Sequence, residues 1–122
     1  MKQYLRGSQE FQVVYRRGRR YDGVSLTAFV LPNELPHHRL GVTASRKAIG
    51  NAVQRNRAKR LLREAFRLSE DSLLRLGRKY DWVLNAKGRV LASNAMAVIS
   101  EFEKILDGVA SQESGDGGLQ LA

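Results

Sequence analysis

The sequence predicts a single α/β sandwich, and three observations carry that reading. Helical periodicity recurs around Phe11, around Leu62 and around Phe102, and strand-like stretches lie between these segments. The resulting order is helix, up to three strands, helix, strand, helix, which two layers can satisfy. At 122 residues and 43% hydrophobic, the chain can form one core that buries roughly 65% of its unfolded surface.

The first helix is expected over residues 8–17. Ser8 serves as its cap, Glu10 stands in the first turn, and Phe11, Val14 and Tyr15 recur at helical spacing. Gly18 is a natural stop, and Arg16, Arg17, Arg19 and Arg20 on either side of it form a second, smaller basic cluster. From Tyr21 to Leu31 the pattern reads as one strand, with Val24, Leu26, Ala28 and Val30 alternating with Ser25, Thr27, Phe29 and Leu31. Pro32 to His38 is a turn-rich connection, and Arg39–Ala44 is a short strand expected to pair antiparallel with its predecessor. After a loop at 45–50, Asn51 caps a central helix that ends near Ser69, with Ala58, Leu61, Leu62 and Ala65 on its apolar side and Phe66 and Leu68 at the edges. Residues 69–77 stay open between loop and a last helical turn around Leu73 and Leu76. Asp81–Ala86 is the last strand. Ser93 or Asn94 then opens a closing helix to about Val109, burying Ala97, Val98, Phe102, Ile105 and Leu106. Residues 1–110 make the domain, and 111–122, rich in Gly, Ser and Gln, form a tail expected to be disordered.

Charge is the strongest signal. Between Arg39 and Arg67 stand nine basic residues and one acidic residue, Glu64, so +8 of the formal +9 sits in under a quarter of the chain. Solvated helices mix the two signs, and like charges on adjacent turns are destabilising. Steps of four, three and four put Asn56, Arg60, Arg63 and Arg67 on one helical face, with Lys59 beside them. A face of this kind calls for a polyanion, with nucleic acid ahead of an anionic membrane. No apolar run approaches the ~20 residues of a span, and the start, MKQYLRGSQEF, has no signal-peptide h-region. The lack of cysteine excludes disulfides and thiolate zinc sites and suits a reducing cytoplasm.

An autonomous active site is hard to assemble from these residues. The twelve acidic residues are scattered, whereas a two-metal nuclease needs carboxylates converging on paired ions. His37 and His38 are adjacent in a loop and read as loop residues rather than as a two-histidine relay. Phosphate-loop, zinc-protease and nucleophile-elbow motifs are absent. The pattern is that of a binder.

The run Arg55-Asn56-Arg57-Ala58-Lys59-Arg60-Leu61-Leu62-Arg63-Glu64-Ala65-Phe66-Arg67, preceded by Gly41-Val42-Thr43-Ala44-Ser45-Arg46-Lys47, resembles the signature of the bacterial ribonuclease P protein subunit family. The resemblance extends to Glu10–Gly18 and to Asp81–Lys87, and covers roughly residues 5–107. It implies a four-stranded sheet in a fold like a ribosomal protein domain, with a left-handed βαβ crossover against the usual rule. It implies partnership with a catalytic RNA and with precursor tRNA, no obligate protein partner, and hydrolysis at the mature tRNA 5′ end by magnesium held mainly by the RNA. The residues matching the catalytic-RNA contact are Arg55, Asn56, Arg57, Lys59, Arg60 and Arg63, with Arg67 on the same face. Phe11, Tyr15 and Phe29 match aromatics of a cleft for the single-stranded 5′ leader, with Arg46, Lys47 and Lys87 on its basic rim. Helical spacing alone would instead assign Phe11 and its neighbours to the core. The expected function is that of the ribonuclease P protein subunit; the alternative is a structural rRNA-binding protein without a role in cleavage.

Overall fold

The computed structural model describes residues 4–121, the side chains of 116–121 excepted; Ala122, the end of the expected tail, lies outside the described residues. The elements are α1 (Gly7–Arg17), β1 (Arg19–Asp22), β2 (Leu26–Pro32), β3 (Arg39–Thr43), α2 (Ala52–Leu68), the short α3 (Glu70–Leu74), β4 (Tyr80–Ala86), a 3-10 turn at Gly88–Ala92, and α4 (Ala95–Leu121). The four strands form one sheet in the order β1-β2-β4-β3. β1 and β4 each pair antiparallel with β2, while β3 pairs parallel with β4. The chain crosses from β3 to β4 through α2 and α3.

Alternation along β4 decides what each face of the sheet carries. Tyr80, Trp82, Leu84 and Ala86 join Ala58, Leu62 and Ala65 of α2 and Val98, Phe102 and Leu106 of α4 in the main core. Val83 faces the other way and packs with Leu5 and Val14, flanked by Phe11, Tyr15, Phe29 and Leu31. α2 and α4 therefore cover one face of the sheet and α1 part of the other. Trp82 is the hub of the main core, with the rings of Tyr80, Phe66 and Phe102 at centroid distances of 5.8, 6.1 and 5.5 Å. Such tilted and edge-on pairs add to what burial alone contributes.

α2 begins where its local chemistry dictates. The Asn51 side chain accepts the Gln54 amide N–H at 2.8 Å, and Gln54 Oε1 accepts the Asn51 N–H at 2.9 Å, forming a reciprocal capping box. Gly50, at φ +128°, turns the chain into that cap through a conformation that disfavours side chains.

Several expectations are corrected. The single strand over 21–31 is a hairpin of β1 and β2, closed by the Gly23 N–H on the Leu26 carbonyl at 2.8 Å, so Val24 sits exposed at its tip. The alternation was real only from Leu26 onward. β3 does not pair with β2, because β4 is inserted between them. Ser8 lies inside α1, and the Glu10 carboxylate caps the helix by accepting the Arg6 backbone N–H. Ala97 and Leu68 are exposed, whereas Val109 is buried. α4 itself runs on to Leu121. Glu113 ties it to the body, accepting the Gly77 and Arg78 N–H groups at 2.9 and 3.1 Å and the Tyr80 hydroxyl.

Two polar arrangements hold the layers together. Buried Asp81 receives Arg39 Nε and Nη2 at 2.8 and 2.6 Å and Asn33 Nδ2 at 2.9 Å, while Arg39 Nη1 reaches Glu10 of α1 at 2.8 Å. Both carboxylates raise the pKa of the Arg39 guanidinium above its usual value, Asp81 most of all. His38 Nδ1 accepts from the Tyr80 backbone N–H and Trp82 Nε1 at 3.0 and 3.1 Å, and Nε2 donates to the Leu73 carbonyl at 3.1 Å. This is a neutral imidazole, and burial pushes its pKa below 6.5.

Arg39→Met should therefore destabilise by about 3 kcal/mol, the low end for orphaning a buried ion-pair partner because Arg39 itself is partly exposed; urea titration gives the number. The histidine sets a pH dependence. The unfolded chain binds a proton near 6.5 and the folded one resists it, so stability is complete above pH 6.5 and falls as the pH drops below it. Chemical denaturation between pH 7.5 and about 5, above the carboxylate range, should show this decline in the wild type and a flatter profile in His38→Gln.

Candidate nucleic-acid interface

Because Ala58, Leu62 and Ala65 point into the core, the opposite side of α2 projects into solvent. Asn56, Lys59, Arg60, Arg63 and Arg67 line one wall of a groove of about 700 Å³, faced by Tyr4, His37, Lys79 and Leu74. Arg60 and Arg63 make no ion pair among the described residues. Arg67 bonds Glu64 at 2.5 Å, and this exposed pair raises its pKa.

The other two arginines that the resemblance matches to the catalytic-RNA contact do not line this groove. Arg55 Nη1 donates to the Gly50 carbonyl at 2.8 Å, bracing the entry to the helix. Arg57 is exposed but does not line the groove.

Phe11, Tyr15 and Phe29, separated in sequence, do come together on the α1 face of the sheet. All three are half-buried, so each packs on one side and leaves ring surface on the other. Tyr15 meets Phe29 edge-on at 4.9 Å between centroids. Strand register builds the floor. One row runs Arg20, Phe29, Val83, Gly41 across the sheet, and the next runs Asp22, Thr27, Asn85, Thr43. The Arg20 guanidinium lies 5.7 Å from the Phe29 centroid, within cation–π range. Asn85 Oδ1 accepts the hydroxyls of Tyr15 and Thr43 at 2.9 and 2.7 Å, which fixes the amide so that its N–H groups are the donors left to offer. Gly41 lets Phe11 lie on β3, since a Cβ there would stand 2.4 Å from the ring.

The rim residues are placed by loops at one end of the sheet. Buried Ile49 pins the turn that exposes Arg46 and Lys47. Lys87 follows directly after β4. Its Nζ donates to the Gly23 carbonyl at 2.7 Å and stands 3.7 Å from Asp22, so part of its charge is already answered.

At the edge strand β3 the two surfaces meet. A smaller groove there is lined by Tyr4, Phe11, Gly41 and Arg63, and Tyr4 and Arg63 also line the larger one. Asn85, Thr43 and Tyr4 were not singled out from sequence, and Arg20 was read only as part of a basic cluster. Their places depend on strand register and on the bridge from Tyr4 to Leu40, and no local pattern encodes either.

The chemistry on offer is stacking, hydrogen bonding and charge. Asp22, in the row of Thr27 and Asn85, bonds Arg20 and Thr27, which hold its pKa below the usual carboxylate range. Among the described residues no three His, Asp or Glu side chains converge as a metal site, and no helix is long and apolar enough to cross a membrane. His38 has both ring nitrogens committed within the core.

The family model for ribonuclease P matches residues 1–110. A ribonuclease P protein component from Clostridium botulinum (strain Loch Maree) is 41% identical over 83 residues, spanning 68% of this chain and 72% of that one. The protein of the same name from Caldanaerobacter subterraneus is 39% identical over 102 residues, 84% of each chain. Among solved structures, the Staphylococcus aureus RNase P protein matches with a TM-score of 0.74 at 25% identity, covering 88% of this chain and 94% of that one. The Thermotoga maritima protein matches in fold with a TM-score of 0.73 at 22% identity, over 86% and 96%. With the sequence family and the architecture in agreement, the chain belongs to the ribonuclease P protein family, the accessory subunit of the ribonucleoprotein endoribonuclease that matures the 5′ end of tRNA.

Proposed function

We propose that the two surfaces divide the work between two RNAs: the ridge of α2 holds the catalytic RNA, and the cleft under α1 holds the single-stranded 5′ leader of precursor tRNA. The observation that carries this reading is the pairing of an arginine ridge largely without internal counterions with a half-exposed aromatic cluster, joined along β3 through Tyr4 and Arg63. Guanidinium forks grip phosphates bidentately and stack on bases. Asn56, Lys59, Arg60, Arg63 and Arg67 make the main contact, Arg57 extends it around the helix, and Arg55 supports it from the helix entry.

Unpaired bases stack on Phe11, Tyr15 and Phe29 for roughly 1–3 kcal/mol each with little sequence preference, which suits a protein that meets many different leaders. Arg20 and Asn85 add a cation and an amide donor, and Arg46, Lys47 and Lys87 attract the backbone. The magnesium ions that drive hydrolysis are held mainly by the RNA. The protein's charge raises affinity for the substrate and lowers the ion concentration required, in the cytoplasm where tRNA is made.

Arg60→Ala should weaken binding to catalytic RNA and shallow the plot of log affinity against log salt by about one unit, the signature of one lost phosphate contact. An unchanged slope would remove Arg60 from the interface. In reconstitution with a bacterial catalytic RNA at low magnesium, the wild type should promote cleavage that neither component gives alone. Phe29→Ala should weaken binding of leader-bearing substrate while sparing leaderless tRNA. Equal losses on both, or a fall in melting temperature that accounts for them, would return Phe29 to a purely structural role.

A further inference from the structure

Glu113 lies beyond the residues that the family model matches, yet it makes an organised contact with the body of the molecule. Its two carboxylate oxygens accept the backbone N–H groups of Gly77 and Arg78 and the Tyr80 hydroxyl. Burial and this carboxylate push the Tyr80 phenol well above its usual pKa, so it remains a donor at any physiological pH. Backbone amides converging with a hydroxyl on two oxygens make an arrangement that also suits a phosphate.

The surroundings are cationic. The same groove, about 440 Å³, is lined by Arg17, Arg19 and Arg78. None of them forms an ion pair with Glu113 among the described residues; Arg78 reaches Glu34 at 3.5 Å, and Arg17 and Arg19 pair with no acid. Glu101 offers a contrast on the same helix. Its bonds to the Ser25 and Leu26 amides are partly buried, whereas those of Glu113 to Gly77 and Arg78 are exposed, so an anion from solvent can reach only the second pair.

Resting on the functional reading above, we propose that the Gly77–Tyr80 turn together with Arg17 and Arg19 is a third phosphate site for RNA, occupied in the free protein by Glu113 as an internal substitute that the RNA backbone displaces. The site continues the binding track. Arg20 sits over Phe29 in the cleft, and its neighbour Arg19 points to the opposite face of the same edge strand, so a strand leaving the cleft over β1 meets Arg19 next.

The test uses full-length protein with catalytic RNA and, separately, with leader-bearing precursor tRNA. Glu113→Gln should raise affinity for one of the two on the order of tenfold, about the worth of one hydrogen bond to a charged group, and steepen its salt slope. Arg19→Ala in the same background should cancel the gain. The RNA that responds identifies the source of the phosphate. An equal gain from Asp107→Asn, an exposed carboxylate elsewhere on α4, would reduce the effect to general charge and overturn the proposal. Amide resonances of Gly77 and Arg78 in the wild type provide a readout that needs no variant. They should shift when the responding RNA is added; binding that leaves them unmoved overturns the site. Failure of the wild type to bind either RNA would instead defeat the functional reading itself.

Discussion

Ala58, Leu62 and Ala65 bring α2 against a sheet whose central side chain on that face is Trp82, and the burial of this stripe decides what the rest of the helix can do. Two of the three are alanines, so the helix approaches closely, and larger rings from Phe66 and Phe102 close the packing around the indole. With that side fixed, the arginines of the opposite side project outward together. Repulsion along such a ridge is a standing cost. It is tolerated because burial of the main core, at roughly 25 cal/mol per Å² of apolar surface, far exceeds it.

Legibility followed locality. The bounds of α2 could be read because its cap, its period and its charges lie within the helix itself, and Asn51 with Gln54 confirms the start. The ridge was legible for the same reason, apart from Arg55, whose bond to Gly50 depends on the turn before the helix. The hairpin at Gly23 was missed because β1 is only four residues long and continues the apparent alternation of β2. The parallel pairing of β3 with β4 joins segments some forty residues apart, which no window of periodicity spans.

The cleft shows the same limit from the functional side. Phe11, Tyr15 and Phe29 were named through family resemblance, since spacing alone favours a buried role. The structure places them between the two alternatives: they pack on Val83 and Val14, yet keep part of each ring uncovered. β4 makes both faces possible. Trp82 and Leu84 serve the core, and Val83 and Asn85, one residue out of phase, serve the cleft. A one-residue slip would exchange these roles, so the register that Arg39 and Asn33 fix at Asp81 bears on the core and on the proposed binding surface together.

The strand order also governs how the chain reaches its native state during synthesis. β4, the inner strand that joins the β1–β2 hairpin to β3, is the last to leave the ribosome. Until residue 86 emerges, β2 and β3 each present a row of unsatisfied amides and carbonyls, while the arginine-rich α2 that follows β3 is already exposed to every polyanion nearby. Closing the sheet requires long-range pairing, the slow kind. The nascent protein is thus exposed to nonspecific capture by nucleic acid and to aggregation along these open rows, until one late strand fills the gap between β2 and β3 in a single step.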